Sequence, residues 1–187
     1  MSTSASGDAP AAPAPTSLKN GILLTLLIIA GVVGWIVVGG VYLGVKSFFA
    51  SFLFAWYWAN LEHADVKRLP HALIGAMVGL ALAWQTKLLP EMAPQLGLTA
   101  TTATIIAVLI LVAAIFIQVM NWLPIALNAS AMLFLTVLAA PALLTTIDFV
   151  GMTKALVGGA VFFTGVVYVA KLYMQVRARA NPAPATA

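Results

Sequence analysis

Long apolar runs with almost no charge dominate this chain and constrain its fold more than any other feature. Of its 187 residues, 63% are hydrophobic and only 7% are charged, whereas soluble domains carry about 25% charged residues. A soluble core cannot hide that much apolar surface, so the sequence predicts an integral membrane protein. Because a bilayer-crossing helix needs about 20 apolar residues, the length allows six crossings in one all-α membrane domain.

The predicted crossings divide the membrane domain, residues 18–175, into two sets of three. Glycines, prolines and polar residues mark the ends of the apolar runs. The six predicted crossings are 18–38, 41–60, 70–89, 105–120, 124–140 and 152–174. Residues 1–17 and 176–187 are rich in alanine, proline and polar residues, which predicts disordered tails.

A weakened copy of residues 47–81 returns at residues 126–165. His71 to Val78 aligns with Lys154 to Val161, and Ala50-Ser51 aligns with Ala129-Ser130. Because each half, residues 18–90 and 99–175, holds an odd number of crossings, the second copy enters the membrane from the opposite face. The sequence therefore predicts two inverted three-helix repeats, a build in which transporters place their sites near the midplane.

Lysine and arginine are unevenly distributed over the predicted loops and tails. With a cytoplasmic N-terminus, six of these nine residues lie inside and three outside, and cytoplasmic loops carry the excess of positive charge. The distribution predicts both termini in the cytoplasm and a location in a bacterial inner membrane. The absence of cysteine excludes disulfides and thiolate metal sites, and the net charge of +4 needs no nucleic acid partner.

Polar side chains on the second and fifth crossings form the sharpest candidate site. Ser47 and Ser51 are spaced four apart and share one helix face, and Asn128 and Ser130 supply matching polarity in the fifth crossing. An unpaired amide is costly in hydrocarbon, so Asn128 is expected to face the interior of the bundle. A structural hydrogen bond between helices and a contact with a solute explain this pattern equally well.

Small residues follow one face of the third and sixth crossings. Gly75 and Gly79 in the third, and Gly158 and Gly159 in the sixth, predict a close approach of helix backbones. His71 and Lys154 occupy aligned positions at the starts of these helices. On one interpretation, His71 and Lys154 lie at the two mouths of a path. On the other, their side chains extend to the membrane interface.

Charges concentrate in the predicted loop between the second and third crossings. Its Glu62, His63 and Asp65 are residue types that bind divalent cations or relay protons at a pore mouth. The neighbouring Lys67 and Arg68 favour a solvated, internally neutralised turn, so we predict no metal site, no cofactor and no enzyme active site. No charged residue falls near the middle of a predicted crossing, which disfavours coupled ion transport.

Glycine and aromatic patterns give the chain a resemblance to a known family. Gly31-Val32-Val33-Gly34-Trp35, the Ser-Phe-rich start of the second crossing, Ile117-Gln118 and the segment from Asp148 to Gly165 resemble bacterial inner-membrane proteins of the domain-of-unknown-function family 1097. The resemblance covers about residues 18–168. It implies an uncharacterised small membrane protein with a transporter-like build, and it supplies no substrate or catalytic residue.

These observations predict a channel or transporter for a small neutral solute, with the lipid bilayer as its other partner and with homo-oligomers allowed. The alternative is a non-transporting structural or assembly protein whose small residues only pack helices. A hydrated cavity between the second and fifth crossings is expected for the first function, and a dry bundle is expected for the second.

Overall fold

The described chain is built from helices. The computed structural model describes residues 18–144 and 148–180, and all regular elements within these ranges are helical. Seven α-helices and one 3₁₀ turn, Ala93–Leu96, follow in the order α1 Leu18–Leu43, α2 Phe49–Asn60, α3 Leu69–Met92, the 3₁₀ turn, α4 Ala100–Val119, α5 Ala129–Leu138, α6 Pro141–Leu144 and α7 Phe149–Ala180. The all-α prediction is confirmed. The predicted tail 1–17 lies outside the described residues, as does 181–187, whereas residues 176–180 continue α7.

Within the described residues, four helices are long and apolar enough to cross a membrane. These candidate spans are Thr25–Leu43, Leu69–Leu96, Ala100–Val119 and Phe149–Tyr173. Helices α2 and α5 have only 12 and 10 residues, about half of the roughly 20 that a crossing needs. The expected second and fifth crossings are therefore short helices, and six full crossings are not confirmed.

The first helix runs through the glycine pair that was predicted to end it. Gly39 is buried, and a side chain there would approach the Phe48 ring to 2.9 Å, so this glycine serves close packing instead of a stop. The helix ends at Leu43, and Gly44 takes a φ of +61°, a conformation that glycine adopts without steric cost. Residues 44–48 then turn the chain into α2.

The fifth predicted crossing starts later than expected because residues 120–128 form turns. Asn121 has a positive φ of 55° directly after α4, so it follows the end of that helix and caps no new one. Pro124 lies within the turns and does not begin a helix. Helix α5 starts at Ala129, with Asn128 as its N-cap.

Two long helices extend beyond their predicted bounds: α4 begins at Ala100 instead of 105, and α7 runs from Phe149 to Ala180 instead of over 152–174. Thr99 caps α4, and its side-chain oxygen accepts a hydrogen bond of 3.1 Å from the Thr102 backbone nitrogen. Helix α3 passes Pro90 and ends at Met92. The ring of Pro90 lies in the last turn, and the chain tightens into the 3₁₀ turn directly afterwards.

The helices pack in two matching arrangements. The most extensive interfaces join α3 to α5 and α2 to α7, and those of α3 with α4 and of α1 with α7 come next. Contacts also join α3 to α7 and α2 to α5. The largest fully buried apolar side chains in the core between them are those of Trp58, Phe54, Phe134, Leu138 and Leu156.

Helices α3 and α7 run antiparallel to each other. Lys171 Nζ, late in α7, donates a hydrogen bond of 3.3 Å to the carbonyl oxygen of Ala64, which lies in the loop before α3. Further along α3, Trp84 stacks on Phe149, the first residue of α7, with ring centroids 5.7 Å apart. Early residues of each helix therefore lie beside late residues of the other.

Buried residues recur at a constant spacing in the two halves. Helices α2 and α5 begin eighty positions apart, and so do α3 and α7. Five buried residues of α3 each have a buried counterpart eighty positions later in α7: Ala72 and Met152, Gly75 and Ala155, Ala76 and Leu156, Gly79 and Gly159, Leu80 and Ala160. This register differs from the sequence alignment, which paired His71 with Lys154 and Ser51 with Ser130.

Candidate functional site

The starts of α2 and α5 lie beside the middle of the apolar spans of α7 and α3. Ser51, in the first turn of α2, packs directly on Gly159, and Ala131, in the first turn of α5, packs on Gly79. Both glycines are buried and lie about ten residues inside their spans. A side chain at Gly79 would also approach the Phe134 Cβ to 2.8 Å. The contacts therefore depend on glycine, as the small-residue pattern predicted.

Ser51 is fully buried, and its hydroxyl both accepts and donates a hydrogen bond. The indole nitrogen of Trp35 in α1 donates a hydrogen bond of 2.8 Å to Ser51 Oγ, and this hydroxyl donates one of 2.6 Å to the carbonyl oxygen of Phe48. Trp35 is itself buried against the rings of Phe48, Phe162 and Phe163. The hydroxyl thus joins the start of α2 to Trp35 of α1.

Asn128 holds the start of α5 through a different set of bonds. Its Oδ1 accepts a hydrogen bond of 3.1 Å from the Ala131 backbone nitrogen, and its Nδ2 donates to the carbonyl oxygens of His71, at 2.8 Å, and Ile125, at 3.1 Å. The amide also lies against Gly75, where any side chain would clash with it. The partly buried Asn128 therefore faces the bundle and links α5 to α3.

Ser130 and Ser47 differ in their surroundings. Ser130 is fully buried, and its hydroxyl donates a hydrogen bond of 2.8 Å to the Ala72 carbonyl oxygen in α3. Ser47 lies in the link before α2, so it does not share a helix face with Ser51. Three of the four predicted path residues therefore lie at helix starts, and each of these three is hydrogen-bonded within the bundle.

The two predicted mouth residues also have different surroundings. His71 is exposed in the first turn of α3, where its carbonyl oxygen accepts the bond from Asn128. Lys154 is exposed beside a groove of about 550 Å³ between the end of α1 and the first half of α7, lined by Tyr42, Leu43, Thr153, Lys154, Val157 and Gly158. Within residues 18–144 and 148–180, the Lys154 ammonium has no hydrogen-bond or ion-pair partner.

The charged loop between α2 and α3 is fixed by local hydrogen bonds. Tyr57 Oη donates to Glu62 Oε1 at 3.2 Å, and the indole nitrogen of Trp58 donates to the Asp65 carbonyl oxygen at 3.0 Å. The described part of the chain contains no group of three or more His, Cys, Asp or Glu residues that could hold a metal ion. The loop is thus held by its own hydrogen bonds, and the described residues offer no set of ligands for a metal ion.

Sequence reasoning gave no role to Trp35, which connects α1 to the candidate site. A tryptophan inside an apolar helix carries one hydrogen-bond donor that must find an acceptor when it is buried. That requirement is a signal that can be recognised in the sequence. The sequence does not identify Ser51 as the acceptor, because the pairing depends on the turn at residues 44–48.

No family model, curated protein or solved structure matches this chain. The resemblance to the domain-of-unknown-function family 1097 therefore stays a prediction. What supports a function for this protein is the geometry of its helices.

Proposed function

We propose that the protein provides a passive path for a small neutral solute through a membrane, with the starts of α2 and α5 at its centre. One observation carries the proposal: two short helices each begin beside the middle of a long apolar span. Transporters with internal repeats build their substrate sites from discontinuous helices of this kind. Irregular backbone at membrane depth is tolerated only where it is buried in protein or lines a water-filled cavity.

Matched packing of the two halves supports an inverted repeat. The contact of α2 with α7 corresponds to that of α5 with α3, and the contact of α1 with α7 corresponds to that of α4 with α3. The central pair, α3 and α7, is antiparallel, as equivalent helices must be when a twofold axis in the membrane plane relates them. The eighty-residue spacing of buried positions pairs the same helices.

The chemistry at the two helix starts disfavours a cationic solute and offers polar groups to a neutral one. The first backbone N–H groups of a helix carry partial positive charge, which disfavours cations, as half-helix ends do in selective pores. No acidic residue lies within one helical turn of Gly79 or Gly159. Hydroxyl and amide groups at Ser51, Asn128 and Ser130 are suited to replace the water that a neutral solute loses.

The described arrangement is the closed one in this proposal. Ser51 and Ser130 have no exposed surface, and both hydroxyls are occupied by hydrogen bonds inside the protein. A path past them requires α2 to move along α7, or α5 to move along α3. Small sliding motions of packed helices are an established mode of opening and closure.

A non-transporting structural or assembly protein is the second candidate. The same burial supports it, because Ser51, Asn128 and Ser130 all have hydrogen-bond partners within the bundle. In this case the glycines of α3 and α7 serve only close packing. The two candidates differ in whether a solute crosses.

A flux assay on purified protein in liposomes tests the proposal. We expect stopped-flow light scattering to record faster entry of at least one small neutral solute, from a panel that includes glycerol and urea, than with empty liposomes. Ser51→Ala and Asn128→Leu are expected to reduce the flux while the protein still inserts and stays monodisperse. His63→Ala, in the exposed loop, is the control and should leave the flux unchanged. Protein-containing liposomes no leakier than empty ones over the whole panel would favour the structural role.

We also propose that both termini lie in the cytoplasm. Gly158 of α7 faces both Leu43, at the end of α1, and Trp35, and Phe162 faces Gly34, so α1 and α7 run antiparallel. This direction supports the start of α1 and the end of α7 being on one side of the membrane, and the Lys and Arg distribution favours the inside. Reporter fusions at Ala187 are expected to report the cytoplasm, and a periplasmic signal would contradict the orientation.

A further inference from the structure

The groove between α1 and α7 combines apolar walls with one unpartnered cation. Leu43, Val157 and Gly158 supply apolar surface, Tyr42 and Thr153 bring hydroxyl groups, and Lys154 is the charged member. None of the described residues that line the groove carries a carboxylate to neutralise the ammonium. The groove has a volume of about 550 Å³ and is open on its outer side.

The position of Lys154 along α7 fits the boundary of a bilayer. Lys154 is five residues beyond Phe149, where the apolar span begins, which corresponds to about 7 Å at the helical rise. Helical side chains lean toward the N-terminal end, and lysine extends along apolar surface to bring its ammonium to the interface. Val157 and Gly158 lie about one turn deeper, beside Leu43.

We propose that this groove binds an anionic phospholipid, with the headgroup phosphate at Lys154 and an acyl chain along Val157 and Gly158. Lipid surrounds an apolar span, and a lysine ammonium at the interface forms a charge-assisted hydrogen bond with a phosphate. Lys46, three residues beyond Leu43 in the chain, adds a second positive charge at the end of α1. The residue eighty positions before Lys154 is Ile74, so the corresponding surface of α3 lacks the cation and the site belongs to one half only.

Native mass spectrometry of the delipidated full-length protein tests this site. Titration with phosphatidylglycerol is expected to give a bound lipid that phosphatidylcholine does not give at the same concentration. Lys154→Met should weaken phosphatidylglycerol binding by up to about fivefold, the upper end for one exposed ion pair. Lys154→Arg should keep the binding, and Lys87→Met, which removes the same charge from α3, should leave it unchanged.

Three results would overturn the proposal. One is equal phosphatidylglycerol binding by wild type and Lys154→Met. Another is competition by glycerol 3-phosphate as effective as that by the lipid, which would indicate a site for a free anion. The third uses the absence of native cysteine: rapid disulfide formation between copies of Val157→Cys, in bilayers that contain phosphatidylglycerol, would mean that a second copy covers the groove.

Discussion

The starts of α2 and α5 occupy matching places in the packing but are held by different chemistry. At α2, the N-cap residue Phe48 makes no side-chain cap, and the buried hydroxyl of Ser51 joins the helix to Trp35 of α1. At α5, the side chain of Asn128 caps the helix and its amide reaches α3. The start of α2 is therefore hydrogen-bonded to a helix in its own half of the chain, and the start of α5 is hydrogen-bonded to a helix in the other half.

This difference explains why similar residues were aligned at positions that are not equivalent. Ser51 and Ser130 look alike in the sequence, yet the eighty-residue spacing makes Ser51 the counterpart of Ala131 and Ala50 the counterpart of Ser130. The packing of a short helix on a long one is therefore the same in both halves, but the hydrogen bonds at the helix starts differ. Backbone approach to a glycine is the feature that both starts share.

The largest effect is expected from Gly79→Ala and Gly159→Ala, which break the shared feature. A methyl group at Gly79 would meet the Ala131 carbonyl oxygen, and one at Gly159 would meet the Ser51 side chain. Overpacking of this kind costs about 1–3 kcal/mol of unfolding free energy. Retention of the monodisperse peak after heating in detergent measures the loss.

Gly165→Ala is the matched control for both substitutions. A side chain at Gly165 would have no neighbouring atom within 4 Å, and alanine is favoured over glycine within a helix by about 1 kcal/mol. This variant is expected to be as stable as wild type or more stable. Equal thermal retention of all three variants would contradict the close approach at Gly79 and Gly159.

The next largest effect is expected from Ser51→Ala, which changes the hydrogen bonds at the start of α2 and leaves those at the start of α5 intact. It leaves the buried indole nitrogen of Trp35 without its acceptor, which costs about 1–3 kcal/mol. Adding Trp35→Phe removes the unpaired donor, so the double variant should lose less than the two single losses combined. Additive losses in the thermal stability assay would indicate that the bond contributes nothing.

Asn128→Ala tests the α5 start and should cost about 1 kcal/mol, the usual value of an N-cap. Asn128→Asp keeps an oxygen for the Ala131 nitrogen but loses the donor to the His71 carbonyl oxygen. Comparing the thermal stabilities of the two variants therefore separates the contribution of the N-cap from that of the hydrogen bond to α3. If the aspartate variant is no more stable than the alanine variant, the cap is not what fixes this helix start.

Ser130→Ala is expected to have the smallest effect. Its hydroxyl donates to a carbonyl oxygen of α3, and hydrogen bonds between membrane helices contribute about 0.6 kcal/mol on average. The alanine methyl group fits the space that the hydroxymethyl group leaves. A loss as large as that of Ser51→Ala would mean that the two starts are more alike than their hydrogen bonds indicate.

The sequence predicts the helical class and the four long spans because composition and apolar run length determine them. It also predicts the close packing at Gly75 and Gly79, since this depends on small residues at helical spacing. The short helices escape prediction, because an apolar run does not reveal where its backbone leaves the helix. Gly39 and Gly44 illustrate this: one packs within α1, and the other takes the positive φ beyond its end.

The candidate site is only partly predictable for the same reason. Ser51, Asn128 and Ser130 stand out as polar residues in apolar surroundings, and each has a hydrogen-bond partner in the folded chain. Their partners come from distant segments, which a single sequence does not identify. The register of the two halves is likewise set by packing between helices and not by the most similar residues.

The pairing of α1 with α7 has a consequence for biosynthesis. Helix α1 leaves the ribosome well before α7, the helix on which it packs most extensively. Synthesis proceeds from the N-terminal side, so the α7-binding face of α1 stays uncovered until residues 44–148 have been added. An insertion factor that shields this face, or a delay in releasing α1 from the translocon, would raise the yield of correctly assembled protein.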